Sequence, residues 1–297
     1  MRCDLHVHTR HSGMCTVPLL NRVCRESYSE PQPLYETLKG RGMDLVTVTD
    51  HDSIDAVEQL RRHPDFFLSE EVTATTPDGT ELHIGVYDMQ ELHHTGIQRR
   101  RADLPALIAY LGEQRLFFTI NHVYSSLTGR RTGGDFALFA RHFPGMEILN
   151  GQIPALNNRR AGDLAESWGK AGIGGSDAHT LAALGRTYTL VNGARTKREF
   201  LDGLRAGRAT LHGQSGGYWK LTRAVLELGM AMIRENRWTL PLLPLALMVP
   251  VVTFANCVRE FAFVSRWAPR VCPSRTQAAV YGPGWMEPRE CPEEVGS

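Results

Sequence analysis

The chain has 297 residues, 42% of them apolar and 22% charged, and its 33 basic and 32 acidic side chains leave a formal net charge of +1. These proportions exclude a disordered or fibrous protein, and they exclude a global field that would draw the molecule to nucleic acid. A chain this long buries roughly 75% of the surface its unfolded form exposes, so neither disulfides nor metals are needed merely to hold a core.

Cys3, Cys15, Cys24, Cys257, Cys272 and Cys291 lie towards the two ends and include no C-x-x-C pair. Free thiols in a reducing, cytoplasmic compartment are expected. Residues 1–8 contain no apolar run of the signal-peptide kind. Short apolar runs at 5–8, 45–49, 66–68, 82–87, 117–120, 146–149, 173–175 and 188–191 read as buried strands. Between them, 31–39, 54–61, 103–113, 159–170 and 197–205 have helical spacing with polar faces. Such alternation predicts a largely parallel sheet with helices outside it, and so many repeats favour a closed or distorted α/β barrel over residues 1–212. Barrel sites gather where strands end and loops begin.

Beyond the glycine-rich stretch at 213–217, residues 218–235 read as an amphipathic helix. Residues 239–258, TLPLLPLALMVPVVTFANCV, then carry no charge. That matches the ~20 residues needed to cross a bilayer core. Arginines flank both sides, Arg234 and Arg237 before it and Arg259, Arg266 and Arg270 after it, so charge gives no orientation. The expectation is a helical, apolar extension over 213–267 with a candidate membrane segment at 239–258. A loose tail is expected over 268–297, which is rich in proline, glycine and charge.

The polar residues of the first 212 positions fall mostly at the strand exits. His6 and His8 lie two apart, on one face of a strand, where two imidazoles can grip one metal ion. Thr49, Asp50, His51 and Asp52 follow the apolar run at 45–48. Asp52 and Ser53 suit capping of the helix near Ile54, which leaves Asp50 and His51 to be explained. Glu70 and Glu71 follow Leu68, His83 interrupts an apolar run, and Asn121 and His122 follow Ile120. Asp177 and His179 repeat the two-apart geometry after Gly174 and Gly175. Imidazole and carboxylate without thiolate suit Zn²⁺, Mn²⁺ or Fe²⁺. Some eight ligands exceed the four that one tetrahedral ion takes, so two or three divalent ions are expected.

The motifs D-L-H-x-H-T at 4–9, T-D-H-D at 49–52, E-V at Glu71, His83, N-H at Asn121 and His122, and G-S-D-A-H at 175–179 stand in one order. In that order and spacing the chain resembles the polymerase and histidinol phosphatase (PHP) superfamily of metal-dependent phosphoesterases, over roughly residues 1–212. The resemblance implies a distorted (β/α)7 barrel with its metals at the strands' C-terminal ends. It implies that His6, His8, Glu71 and Asp177 hold one ion, that Glu71 bridges to a second held by His83 and His122, and that His51 and His179 serve a third. Asp50 would fix an imidazole, and Asp177 and Asp50 are the carboxylates expected to serve catalysis. The family usually adds an Asp or His where this chain has Gly13 and Met14, and His11 and Cys15 are the nearby substitutes.

Two functions of different class follow. One is hydrolysis of phosphate esters, as a phosphatase or as a phosphodiesterase or nuclease, by a hydroxide held between metal ions. Arg130, Arg131 and Arg159 are then candidates to hold the phosphate of a small substrate. The balanced charge and the lack of an aromatic-basic stripe argue against long nucleic acid. The alternative is a non-catalytic metal-binding module with a structural or membrane role.

Overall fold

The computed structural model describes residues 1–18 and 20–271. Its strands are β1 (Arg2–Cys3), β2 (Ser69–Thr75), β3 (Glu81–Tyr87), β4 (Phe117–Ile120), β5 (Gly145–Asn150), β6 (Ala171–Gly175), β7 (Thr187–Val191) and β8 (Ala209–Gly213). The α-helices are α1 (Pro31–Gly40), α2 (Val57–Leu60), α3 (Glu91–Gln98), α4 (Leu104–Glu113), α5 (Gly133–His142), α6 (Ala155–Ser167), α7 (Lys197–Arg205), α8 (Tyr218–Glu235) and α9 (Val249–Val271). The α/β class is as read from the periodicity, but the strand directions are more mixed than expected. A five-stranded sheet runs β2-β3-β4-β5-β6, with β2–β3 and β3–β4 antiparallel and β4–β5 and β5–β6 parallel. A second sheet, β1-β7-β8, is antiparallel throughout. The β2–β3 hairpin turns at Thr76–Thr80, where Gly79 takes φ +77° and its N–H donates to Thr76 O at 2.9 Å.

The sheets do not close into a regular barrel. Segments 5–8 and 45–49, expected as strands, form single bridges instead, Val7 with Ala178 and Val46 with Phe66, both parallel. Hydrogen bonds nevertheless run from β6 across these segments to β2. Asp177 N donates to His6 O at 2.7 Å, Thr49 N to Val7 O at 2.9 Å and Glu71 N to Asp50 O at 3.1 Å. The ladders break because side chains take backbone donors that a strand partner would otherwise take. Val7 N donates to Thr49 Oγ1 at 3.0 Å, Thr9 N to Asp50 Oδ1 at 2.6 Å and Ser176 N to Asp4 Oδ1 at 2.7 Å. At Gly175 any Cβ would collide with the backbone of His6, so glycine is what lets the two segments lie this close.

The main core joins Val7, Val46, Val48, Val72, Ile84, Phe118, Ile120 and Met146 from the sheet side to Leu34 and Leu38 of α1 and Leu104, Leu107 and Leu111 of α4. The helical residues recur at the spacing that puts them on one face, and each fully buried leucine contributes roughly 1.5–3 kcal/mol relative to exposure. The helix expected at 54–61 shrinks to α2, and Asp52 does not cap it. At φ +50° Asp52 instead accepts from Thr73 N at 3.1 Å, which ties it to β2.

After α8 the chain forms a 3-10 helix, Arg237–Met248, containing Pro241 and Pro244, and then α9. The extension does not stand apart from residues 1–212. Val264, Trp267 and Ala268 belong to the main core. Glu260 is 1% exposed and accepts from Ser126 N at 2.9 Å, Ser126 Oγ at 2.6 Å, Ser125 Oγ at 3.1 Å and Asn157 Nδ2 at 3.0 Å. Residues 268–271, where the loose tail was expected to begin, still belong to α9, and the rest of that tail lies outside the described residues. Cys3, Cys15, Cys24 and Cys257 are free thiols.

Candidate metal centre

Three groups of metal-ligating side chains meet at one end of the five-stranded sheet: His6, His8 and Asp177; His8, His51 and Glu71; and Glu71, His83 and His122. Glu71 is common to two of them. Its Oε2 lies 3.0 Å from His6 Nε2 and 3.4 Å from both His8 Nε2 and His51 Nε2. Its Oε1 lies 3.4 Å from His122 Nε2 and 3.6 Å from His83 Nδ1, and accepts from Asn121 Nδ2 at 2.8 Å. Strand alternation sends Glu70 the other way, where His94 Nδ1 meets its Oε2 at 2.6 Å. Asp177 Oδ1 lies 3.4 Å from His8 Nε2 and 3.6 Å from His6 Nε2 and His179 Nδ1. His122 and Asp177 adopt positive φ, 30° and 52°. Turning the chain this way at a strand exit costs of order 1–3 kcal/mol at each and aims both side chains inward.

The spacings suit cations. Donors that bond one ion at 2.0–2.2 Å across a tetrahedral angle stand about 3.3–3.6 Å apart. A hydrogen bond would bring them to about 2.7–3.2 Å. The protons point the same way. His6 Nδ1 lies 2.7 Å from Glu147 Oε1, so that nitrogen carries the proton. His6 Nε2 faces both His8 Nε2 and Glu71 Oε2 at 3.0 Å. A shared cation, whether a proton or a metal ion, reconciles these groups.

The electrostatics are those of a buried mixed cluster. Burial works against charge on every member. For His6 the carboxylates of Glu71, Asp177 and Glu147 outweigh it and raise the imidazole well above its ordinary value, and Asp177 and Glu71 raise His8 to about 10. At His51 burial wins and lowers it to about 4. Glu71 and Asp177 are held well below the carboxylate range because the surrounding imidazoles overcome their burial.

Several supporting residues went unread in the sequence. Glu147 also accepts from His122 N at 3.0 Å and Asn150 Nδ2 at 3.0 Å, and Asn150 Nδ2 donates to Asp177 Oδ2 at 3.0 Å. Ser12 Oγ links His8 Nδ1 at 2.9 Å to Asp50 Oδ1 at 2.7 Å, so Asp50 reaches an imidazole only through Ser12. Glu26 Oε1 lies 3.5 Å from His51 Nε2 and 3.6 Å from His179 Nε2. Neither substitute offered for Gly13 is placed in this way. His11 Nδ1 faces Asp55 at 4.0 Å, and Cys15 is tied through its N–H to Cys24 O.

The arginines divide. Arg131 is 4% exposed, and it donates to Glu81 O at 2.7 Å and Thr128 Oγ1 at 2.5 Å, so its guanidinium serves the loop and is not free for a phosphate. Arg130 and Arg159 are exposed. Arg130 lines a cavity of about 580 Å³ with Arg259, Arg266 and Trp267. Lys220 of α8, missed in the sequence, donates to Gly151 O and interacts electrostatically with Asp177.

The PHP-associated family matches residues 155–209, from α6 through Asp177 and His179 to the start of β8. PsfC from Pseudomonas syringae PB-5123 is similar in fold, with TM-score 0.55 and 20% identity over 78% of this chain and 97% of that one. A protein described as a metal-dependent phosphoesterase from Bifidobacterium adolescentis aligns with TM-score 0.46 and 14% identity, over 69% of this chain and 96% of its own. The lesion-specific endonuclease PfuEndoQ from Pyrococcus furiosus aligns with TM-score 0.48 and 16% identity, over 71% of this chain and 57% of its own. No curated protein matches the sequence. The PHP-associated match lies across the Asp177 and His179 motif, the part of the chain where it is similar to that family.

Proposed function

We propose that the chain hydrolyses phosphate esters with the help of divalent metal ions. We read its fold as a distorted (β/α)7 barrel in which segments 5–8 and 45–50 occupy strand positions between β6 and β2. The observation that carries the functional reading is Glu71, one carboxylate set between imidazoles on both oxygens at ligand-to-ligand distances. His6, His8, Asp177 and Glu71 would hold one ion, and Glu71, His83 and His122 a second. When bound, Zn²⁺, Mn²⁺ or Fe²⁺ supplies Lewis acidity towards the phosphoryl oxygens and lowers the pKa of water to around 7.

Asp177 is the residue that takes the proton from the attacking water. Asn150 holds its Oδ2, which keeps Oδ1 turned to the centre. Asp50 is a positioning residue, because its carboxylate is spent on Thr9 and Ser12. A small phosphorylated substrate approaches where His51, His83 and His179 retain 15–21% side-chain exposure. Lys220, which interacts electrostatically with Asp177, is the basic group we assign to its phosphate, and Arg130 and Arg159 remain exposed candidates. The test is phosphate or nitrophenol release by the manganese-loaded full chain from monoesters and diesters, against the Asp177→Asn variant. Release no faster than by that variant on every ester would sink the reading and leave a non-catalytic metal-binding module.

The C-terminal extension supports a second, separate reading, contact with a bilayer surface. Arg237–Val271 is long and apolar enough to cross a membrane by length and composition. Thr253, Glu260, Val264 and Trp267, however, are buried on the domain side. Trp238, Leu247, Val251, Val252, Phe254 and Phe261 are exposed on the outside, with Leu247 82% so. Burial of Glu260, Val264 and Trp267 keeps the C-terminal part of this helix on the domain, so we read the exposed part as lying in the plane of the interface, with its flanking arginines meeting anionic headgroups. Full-length protein should sediment with anionic vesicles and Leu247→Glu/Phe254→Glu should not. Equal sedimentation, or a dimer that hides this face, contradicts the reading.

A further inference from the structure

The loop that leaves the metal centre at His122 reaches a different chemistry a few residues on. Arg130 and Arg131 of this loop line the cavity of about 580 Å³, together with Arg259, Phe263, Arg266 and Trp267 of α9. The α9 residues stand at i, i+4, i+7 and i+8, the spacing of one helix face. Loop and helix are fixed to each other by Glu260. Its carboxylate, 1% exposed, accepts from Ser126 N at 2.9 Å and Ser125 Oγ at 3.1 Å, so the loop cannot leave α9 without stranding a buried charge. The guanidinium carbons of Arg266 and Arg270 lie 5.4 and 5.5 Å from the centre of the Trp267 ring, within cation–π reach, which orders Arg266 beside the cavity.

The charge of this cavity is one-sided. No carboxylate lines it. Among the described residues, Arg130, Arg259 and Arg266 form no ion pair. Arg131 is buried, and its Nη atoms are spent on Glu81 O and Thr128 Oγ1, while its Nε–H has no hydrogen-bond partner. Burial lowers its guanidinium to about 10, which still leaves it charged at neutral pH. Like charges gathered around one space repel one another, and an anion between them relieves that repulsion.

We propose that this cavity binds a ligand carrying two phosphoryl groups close together, at a site separate from the metal centre, with Arg130, Arg259 and Arg266 as its grips. Planar guanidiniums match phosphate oxygens two at a time. One phosphate monoester brings only about 1.5–2 negative charges at pH 7, and two bring about 3–4, which balances the arginines of the lining. The volume lies within the roughly 300–1,000 Å³ of small-molecule sites and exceeds what a lone phosphate fills. None of the lining residues belongs to the metal centre. The assignment draws Arg130 to this cavity and leaves Lys220 beside Asp177 for the substrate of the centre. It goes beyond hydrolysis at that centre and does not depend on it.

The experiment is calorimetric titration of the full-length chain with imidodiphosphate, a diphosphate analogue that resists hydrolysis, before and after chelator treatment. The dissociation constant should be the same with and without metal and in Asp177→Asn. In Arg259→Glu/Arg266→Glu it should be weaker by about 100-fold. Both arginines are exposed, so this variant should keep the fold and the turnover of p-nitrophenyl phosphate. Arg259→Lys/Arg266→Lys keeps the charge and loses the fork, and should be weaker by about tenfold. Orthophosphate should bind about tenfold more weakly than imidodiphosphate. Competition identifies the source of the paired phosphates. Displacement by ADP assigns a soluble ligand, and displacement only by vesicles containing phosphatidylinositol bisphosphate assigns a lipid headgroup. Undiminished binding in the charge-reversed variant, binding lost with the metal or in Asp177→Asn, orthophosphate binding as tightly, displacement by neither competitor, or turnover lost in the charge-reversed variant would each overturn the proposal. Binding that persists in a chain that hydrolyses nothing would refute the phosphoesterase reading alone.

Discussion

Glu71→Gln is the sharpest perturbation of the centre, because it removes a charge without changing shape. The carboxylate faces His6, His8 and His51 on one oxygen and His83 and His122 on the other, all within 3.6 Å. It is 1% exposed, so solvent does little to screen the loss. Two unit charges at 4 Å in an effective dielectric of about 20 interact by ~4 kcal/mol, which is about three decades in affinity. An amide oxygen is still a weak ligand, so the expected loss is about 100- to 1,000-fold for each of the two ions the carboxylate would touch. Chelator competition followed by elemental analysis reads both. Glu70→Gln is the matched control, since its side chain faces His94 on the opposite side of β2. Glu71→Gln retaining both ions within about tenfold of wild-type affinity, or Glu70→Gln losing them equally, would refute the bridging role.

Three further outcomes follow from contacts around the centre. Ser12→Ala breaks the link from Asp50 to His8 Nδ1 and should weaken metal binding by about 10–100-fold in the same competition assay while leaving the fold intact. Metal loading should release protons at neutral pH. His6 and His8 are raised above their ordinary value, His8 to about 10, and a ligating imidazole must be neutral. Affinity should therefore rise with pH through neutrality towards about 10 and fall in acid. Calorimetry in buffers of different ionisation enthalpy reads the release, and buffer-independent heats would contradict it. Glu260→Ala strips an acceptor from Ser126 N, Ser126 Oγ and Asn157 Nδ2 and should cost ~2–4 kcal/mol of stability by denaturant melting. A loss under ~0.5 kcal/mol would mean that the extension is not held by this contact.

How far the sequence could be read depended on whether a residue's role was local. His6, His8, His51, Glu71, His83, His122, Asp177 and His179 lie at ends of apolar runs or inside one, where an ionisable side chain demands a partner, so the cluster was visible as a set. Glu71 was separable from Glu70 only through the family motif, and the strand pleat then sends the two apart. Glu147 was legible in principle, as a carboxylate inside the apolar run 146–149, but nothing local says that His6 is its partner. Glu26 had no local signal. It lies in an irregular polar stretch and reaches His51 and His179 only because the chain folds back on Gly13. The antiparallel β2–β3 pair departs from the parallel order that alternation with helices implies, and T-P-D-G-T at 76–80 is the turn chemistry that makes it. The broken ladders of segments 5–8 and 45–50 depend on long-range competition from Thr49, Asp50 and Asp4, which no window of sequence contains.

The most direct test of the central claim is reconstitution. Full-length protein stripped with chelator is titrated with manganese while p-nitrophenyl phosphate turnover and bound metal are followed together, alongside Asp177→Asn under the same conditions. Turnover should be absent without metal and should appear as the ions of the centre fill, with Asp177→Asn staying inactive at every metal concentration. Undiminished turnover in the stripped protein, or in metal-loaded Asp177→Asn, would contradict hydrolysis at this centre.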